Sequence, residues 1–178
     1  MRILWIVVWL VSFTYASPLT KAYYAGGCFW GVEYYLEKLR GVKEVHSGFM
    51  GGKVKNPTYY EVVQGGTGHL ETVEVTYDPS LISYETLTKA FFEIHDPTQR
   101  DGQGPDIGER YHSAIFVGDE TQRRIALSLI QQLRSYGYDV ATKIVPTGPF
   151  YPAEEYHQDY YAKHHKAPYC HGYVKRFK

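Results

Sequence analysis

Lys-Ala-Tyr-Tyr-Ala-Gly-Gly-Cys-Phe-Trp-Gly-Val-Glu-Tyr-Tyr-Leu-Glu-Lys-Leu-Arg-Gly, residues 21–41, changes its period in the middle, and that change organises the rest of the chain. Lys21 to Ala25 is β-prone and ends at Gly26-Gly27. From Cys28 to Leu39 the residues Val32, Tyr35, Leu36 and Leu39 share one face of a helix, which Gly41 stops. Working outward, Val42 to Phe49 reads as a strand closed by glycines 48, 51 and 52, and Leu70 to Tyr77 as another, ended by Asp78-Pro79. Ser83 is placed to cap a helix whose Leu87, Ala90, Phe91 and Ile94 form an apolar stripe. Ser113 to Val117 reads as a short buried strand. Asp119 with Gln122 has the spacing of a capping box for a helix to Tyr136, and a last strand covers Thr142 to Val145. The order β-α-β-β-α-β is that of split βαβ, ferredoxin-like units. The expectation is an α+β fold: one mixed, mainly antiparallel sheet with helices packed on it. Two stretches read as irregular, Asp96 to His112 and the tail from Tyr161 onward. A loop as long as the first is usually functional or disordered.

Composition narrows the function classes. The 178 residues are 44% hydrophobic and 21% charged, a globular balance that excludes collagen, coiled coil and wholesale disorder. Nineteen basic and nineteen acidic residues cancel, so no global field argues for nucleic acid or an anionic membrane. Two cysteines can build neither a disulfide-rich scaffold nor a four-cysteine zinc site. At the start, Arg2 precedes a run from Ile3 to Phe13 that is apolar except at Ser12, followed by Thr14-Tyr15-Ala16. This is the layout of a secretory signal, too short to span a bilayer. The expectation is a signal peptide over 1–16, one domain over 17–178, and a mature protein that is exported, periplasmic or extracellular.

Cys28 lies where a strand meets a helix start. Amide groups and the positive helix end there favour a thiolate, so Cys28 is a candidate nucleophile of lowered pKa. A structural disulfide to Cys170 is the competing reading in an exported protein. Glu71 alternates onto the same strand face as Val73, Val75 and Tyr77. A carboxyl on an apolar face keeps its proton and can act as an acid, unless, at the strand start, it turns to water. His46, His69 and His95 are each eligible as a base for Cys28, with no local cue among them. His157, His164, His165 and His171 fit no metal-site spacing and read as solvated tail residues. Tyr59 and Tyr111 are candidate hydroxyl donors, with surface or core packing the favoured reading of each taken alone.

Gly-Gly-Cys-Phe-Trp-Gly-Val-Glu (26–33) resembles the active-site signature of the peptide methionine sulfoxide reductase A family. The resemblance continues through Asn-Pro-Thr-Tyr (56–59), Gly-Gly-Thr-Gly-His-Leu-Glu (65–71), His-Asp-Pro-Thr-Gln (95–99), Gly-Pro-Asp-Ile-Gly (104–108) and Glu-Glu-Tyr-His-Gln (154–158), covering nearly all of the mature chain. It implies that Cys28 attacks the sulfoxide sulfur while Phe29 and Trp30 wall in the substrate methyl group. It further implies that Glu71, Tyr59 and Tyr111 surround the sulfoxide oxygen, with Glu71 giving the proton and Asp106 arranging the site. Cys170 matches the recycling cysteine, which has to travel on its tail to form a transient disulfide with Cys28. By the same resemblance the substrates are oxidised proteins and free methionine sulfoxide, in the S form, and a thioredoxin-like protein is the reductant. No metal or organic cofactor is implied, nor nucleic acid, nor stable membrane insertion after signal removal, and the chain is expected to act as a monomer. It departs from the family pattern at Glu109-Arg110 before Tyr111 and at His112 after it, and it carries a single tail cysteine.

Overall fold

The computed structural model describes residues 18–178, so the expected signal over 1–16 lies outside the described residues. In chain order the main elements are β1 (Thr20–Gly26), α1 (Phe29–Leu36), β2 (Val42–Met50), α2 (Tyr59–Gln64), β3 (Leu70–Tyr77) and α3 (Tyr84–Ile94). Then come the short strands β4 (Gly102–Gln103) and β5 (Asp106–Ile107), a 3-10 turn at Glu109–Tyr111, β6 (Ser113–Val117) and α4 (Glu120–Ser135). β7 (Lys143–Pro146), β8 (Tyr151–Pro152), a 3-10 turn at Glu155–His157 and α5 (Tyr160–Lys163) follow.

Six strands form one sheet in the order β7-β6-β1-β3-β2-β8, antiparallel at every pairing except β6 with β7. Its central four, β6-β1-β3-β2, carry the expected ferredoxin-like order, so the α+β reading holds. β4 and β5 pair separately as a small ribbon. Alternation divides the sheet's residues between two faces. Tyr24, Phe49, Val73, Val75 and Ile115 join Leu36, Leu87, Phe91 and Leu133 of the helices in the main core. Ala25, Met50, Ala114 and Phe116, one step along their strands, make a smaller cluster on the other face.

The local signals act with two adjustments. Ser83 Oγ accepts a bond from the Thr86 N–H at 3.1 Å and opens α3 as expected. Asp119 accepts from the Gln122 N–H at 2.8 Å, but the Gln122 side chain does not return to Asp119. It accepts from Gly118 N–H and donates to the Lys21 carbonyl instead, so it ties α4 to β1 rather than closing a box. α1 is shorter than expected, ending at Leu36, and Cys28 stands just outside it as the capping residue, with φ −54° and ψ 118°. The tail beyond α5 is irregular as expected, yet it is tied down. Gly172 and Val174 N–H groups donate to the carbonyls of Ile94 and Glu93, and Phe177 is buried beside Phe92. Among the described residues no helix is long and apolar enough to cross a membrane.

Candidate active site

The turn between β1 and α1 sets the position of the site. Gly27 has φ +95°, a conformation that disfavours a side chain, and a Cβ there would run into Gln103 of β4. Gln103 is itself held by both amide atoms to the main chain of Asp96, so the turn and the 96–112 segment pack as one piece. Cys28 follows at the mouth of α1, 6% exposed.

Glu71 is placed by β3, opposite Phe49 of β2, and is buried, so it does not turn to water. One carboxylate oxygen accepts the Phe29 N–H at 3.1 Å, one of the helix-start donors that lack partners within α1. The other lies 3.9 Å from the Arg110 Nε. Burial dominates and raises the Glu71 carboxyl to about 8, although the Phe29 N–H and Arg110 pull the other way. At neutral pH it therefore keeps its proton. Tyr59 starts α2 with its ring 6.4 Å from that of Phe29, and burial beside Glu71 and Cys28 lifts its hydroxyl to about 12. Tyr111 sits under the Arg110 guanidinium and is also raised by burial and by Glu71. Both phenols remain hydroxyl donors at any ordinary pH.

Ligand-type atoms of Cys28, Cys170 and Asp106 all lie within 4.8 Å of one another. Cys170 does not have to travel, contrary to the expectation; the pinned tail already holds it against Cys28. Both sulfurs are free thiols. Tyr169, next to Cys170, donates to Asp106 at 3.1 Å and fastens the tail to β5. The expected lowering of the Cys28 pKa is reversed in this arrangement. The sulfur–sulfur contact, in which the Cys28 S–H serves Cys170, pushes Cys28 up, and burial and the nearby Glu71 add to it. These outweigh the amides at the helix start. Cys170 is drawn down by the same contact and by His171, against its own burial.

Phe29 packs among Phe49, Tyr59 and His157, while Trp30 stacks flat on Tyr160 at 3.7 Å. The Trp30 indole N–H donates to His157 Nδ1 at 3.1 Å. Two sulfurs and one carboxylate fall short of the four ligands of a closed zinc site. The histidines considered as bases for Cys28 are committed elsewhere. His95 bonds the Phe91 carbonyl and Ser113, His69 bonds Gly52 N–H and the Val54 carbonyl, and His46 lies at the surface beside Glu44.

All eight residues singled out from the sequence thus converge on one location, and comparison with known proteins bears on what that location is. Residues 20–178 match the family model described as peptide methionine sulfoxide reductase. The chain belongs to the peptide methionine sulfoxide reductase family. It is 50% identical to the peptide methionine sulfoxide reductase MsrA of Thermus thermophilus over 86% of this chain and 88% of that one. Among solved structures, reduced Mxr1 of Saccharomyces cerevisiae superposes with a TM-score of 0.79 at 33% identity, covering 85% of this chain and 89% of that chain. The same yeast protein in complex with Trx2 gives a TM-score of 0.59 at 25% identity, over 90% and 95% of the two chains.

Within this member of the reductase family, four further residues shape the site without having been read as part of it. His157 and His171, taken for solvated tail residues, are both buried. The aromatic residues around His157 and the cysteine beside His171 were the available signals. Arg110, noted only as a departure, faces Glu71. Glu33, the last residue of the signature, is buried, is raised to about 8 chiefly by that burial, and accepts the Asp159 N–H at 3.0 Å. It fastens α1 to the start of α5, and so holds Tyr160 against Trp30.

Proposed function

We propose that the protein reduces methionine-S-sulfoxide, protein-bound or free, to methionine, and that it repairs oxidised proteins. The observation that carries this reading is a buried carboxyl, Glu71, hydrogen-bonded to the residue that follows Cys28 and raised by its burial. A sulfoxide oxygen leaves poorly until it is protonated, so the reaction needs a sulfur nucleophile on one side and a proton donor on the other. Cys28 attacks the sulfoxide sulfur while Glu71 delivers a proton to the oxygen, and the Tyr59 and Tyr111 hydroxyls donate hydrogen bonds to it. Phe29 and Trp30 enclose the methyl group, and Asp106 holds the tail side of the site through Tyr169. Cys28 gives up its proton as it attacks, and that proton replaces the one Glu71 delivered. The oxygen then passes to the Cys28 sulfur as its bond to the methionine sulfur breaks, the bond between the two sulfurs breaks, methionine departs, and Cys28 is left as a sulfenic acid, the first reversible rung of thiol oxidation. Cys170 then condenses with it, releasing water and forming a Cys28–Cys170 disulfide.

A thioredoxin-like protein resets the two thiols. The solved complex of Mxr1 with Trx2 supports this partner. The charged leader at Arg2 and its apolar run support export, with the mature chain starting near Ser17 and acting as a monomer; N-terminal sequencing of protein recovered from the exported fraction tests the cleavage. For the reaction itself, the test is incubation of racemic methionine sulfoxide with the protein and a dithiol, followed by chiral analysis. About half should be consumed, with only the R epimer left. Loss of both epimers, or of neither, refutes the reading.

A further inference from the structure

We propose that His171 is the base that takes the proton of Cys170 and so arms it to close the disulfide with Cys28. The inference rests on the disulfide step just described and assigns it a catalytic residue.

Two hydrogen bonds define the arrangement. His171 Nε2 lies 2.7 Å from the carbonyl oxygen of Gly26, and Nδ1 lies 3.1 Å from the Cys170 sulfur. A carbonyl only accepts, so Nε2 carries the ring hydrogen. In the neutral ring Nδ1 then has a free lone pair, and it faces the thiol. A proton passed from Cys170 to Nδ1 leaves an imidazolium held between the Gly26 carbonyl and the thiolate it has just made. The side chain has little freedom to leave this pose. His171 is buried, and the absence of a side chain at Gly31 makes its room, since a Cβ there would collide with Nδ1.

The surroundings bias the pair in the same direction. Facing the two residues are Cys28 from the mouth of α1, Glu71 from β3, His95 from α3, Asp106 from β5 and Tyr161 from α5. Glu71 is neutral at working pH, and His95 is held uncharged by burial, down to about 3. Burial and Asp106 oppose a thiolate on Cys170, while the Cys28 thiol and His171 favour it. No ring nitrogen is bonded to Cys28 among the described residues. The base therefore serves the resolving sulfur and leaves Cys28 protonated until substrate arrives.

The step balances. The Cys170 thiolate attacks the sulfur of the Cys28 sulfenic acid, the S–S bond forms, and the S–O bond breaks. The hydroxide that leaves takes up the proton first given to His171 and departs as water. Cys170 is oxidised and Cys28 is reduced by the same electron pair.

The test uses the full chain in its reduced form, mixed with one equivalent of a methionine-sulfoxide peptide and quenched with a thiol alkylator at successive times. Intact mass follows the disulfide, and its rate is normalised to each protein's own methionine burst. In the wild type the half-point of disulfide closure should lie below the range of a free thiol at ~8.5. His171→Gln keeps a donor for the Gly26 carbonyl but cannot accept a proton. It should close the disulfide roughly tenfold to a hundredfold more slowly near pH 6.5, and raising the pH to about 9 should restore the rate. Equal rates in the two proteins overturn the proposal, as does a slowing that high pH does not relieve, which marks a packing role. Should His171→Gln not fold, the wild-type profile decides alone, because a half-point near ~8.5 is incompatible with an internal base. A methionine burst with no Cys28–Cys170 disulfide in the wild type defeats the disulfide reading itself and is distinct from either result.

Discussion

The two halves of the site are built from different kinds of structure. On one side Cys28 and Glu71 come from a helix mouth and a central strand, both buried, and Phe29 of the main core, the residue after Cys28, donates its N–H to Glu71. On the other side Cys170 and His171 come from a segment without regular structure, held by a few main-chain bonds to the end of α3 and by Phe177. The first half has to hold an acid and a nucleophile in register on either side of a substrate, and regular elements do that well. The second half has to bring a sulfur close and later yield it to an outside reductant. A chain tied at a few points suits that exchange better than a strand would. The proton distribution follows the same division, with Glu71 and Cys28 holding theirs and Cys170 drawn toward giving its own up.

The division can be broken most completely at Cys28. Cys28→Ser should abolish even a single turnover, measured as methionine released per protein without recycling reductant. Glu71→Gln tests the same half more finely and should slow the chemical step by roughly 10²–10⁴. The wild-type single-turnover rate should also decline as pH rises through about 8, because the Glu71 carboxyl is a proton donor only below that value. The stability sign agrees. A carboxyl whose folded-state pKa is raised contributes fully below its ordinary range near 4.5, and that contribution is lost between there and about 8. Glu71→Gln should therefore gain stability relative to the wild type as pH rises across this window, read from urea midpoints. In the other half, Cys170→Ser should release one methionine per protein and recycle with a small dithiol, but not with a thioredoxin-like protein. The smallest effect is expected for Phe177→Ala. Loosening the tail anchor should slow disulfide closure several-fold while the methionine burst persists, and the loss of global stability should be below the ~3–5 kcal/mol of a fully internal phenylalanine.

What the sequence disclosed follows the same line. The sheet and its longer helices were legible because period-2 and period-3.6 patterns report which face meets the core, and the same alternation put Glu71 on the apolar face while leaving a turn to water open. Glu71 is the clearest case, a lone carboxyl on an otherwise apolar strand face. α2 was missed because six residues are too few for a stripe, although its start is written in the reciprocal bonds of Thr58 and Glu61. The tail was harder still. Its contacts with Ile94, Glu93 and Gly26 join residues far apart in the chain and leave no local period, so two of its buried histidines read as solvent-facing. The pKa of Cys28 went wrong for a related reason. The helix start is visible in sequence, but the second sulfur beside it is a tertiary fact.

Cys28 and Cys170 stand close to opposite limits of the described chain and yet touch. A bond between them would turn nearly the whole polypeptide into a closed ring, which for loops of this order restricts the unfolded chain by about 5 kcal/mol. The spent protein, awaiting its reductant, would then resist heat better than the protein ready to work, and every cycle of repair would fasten the molecule and release it again.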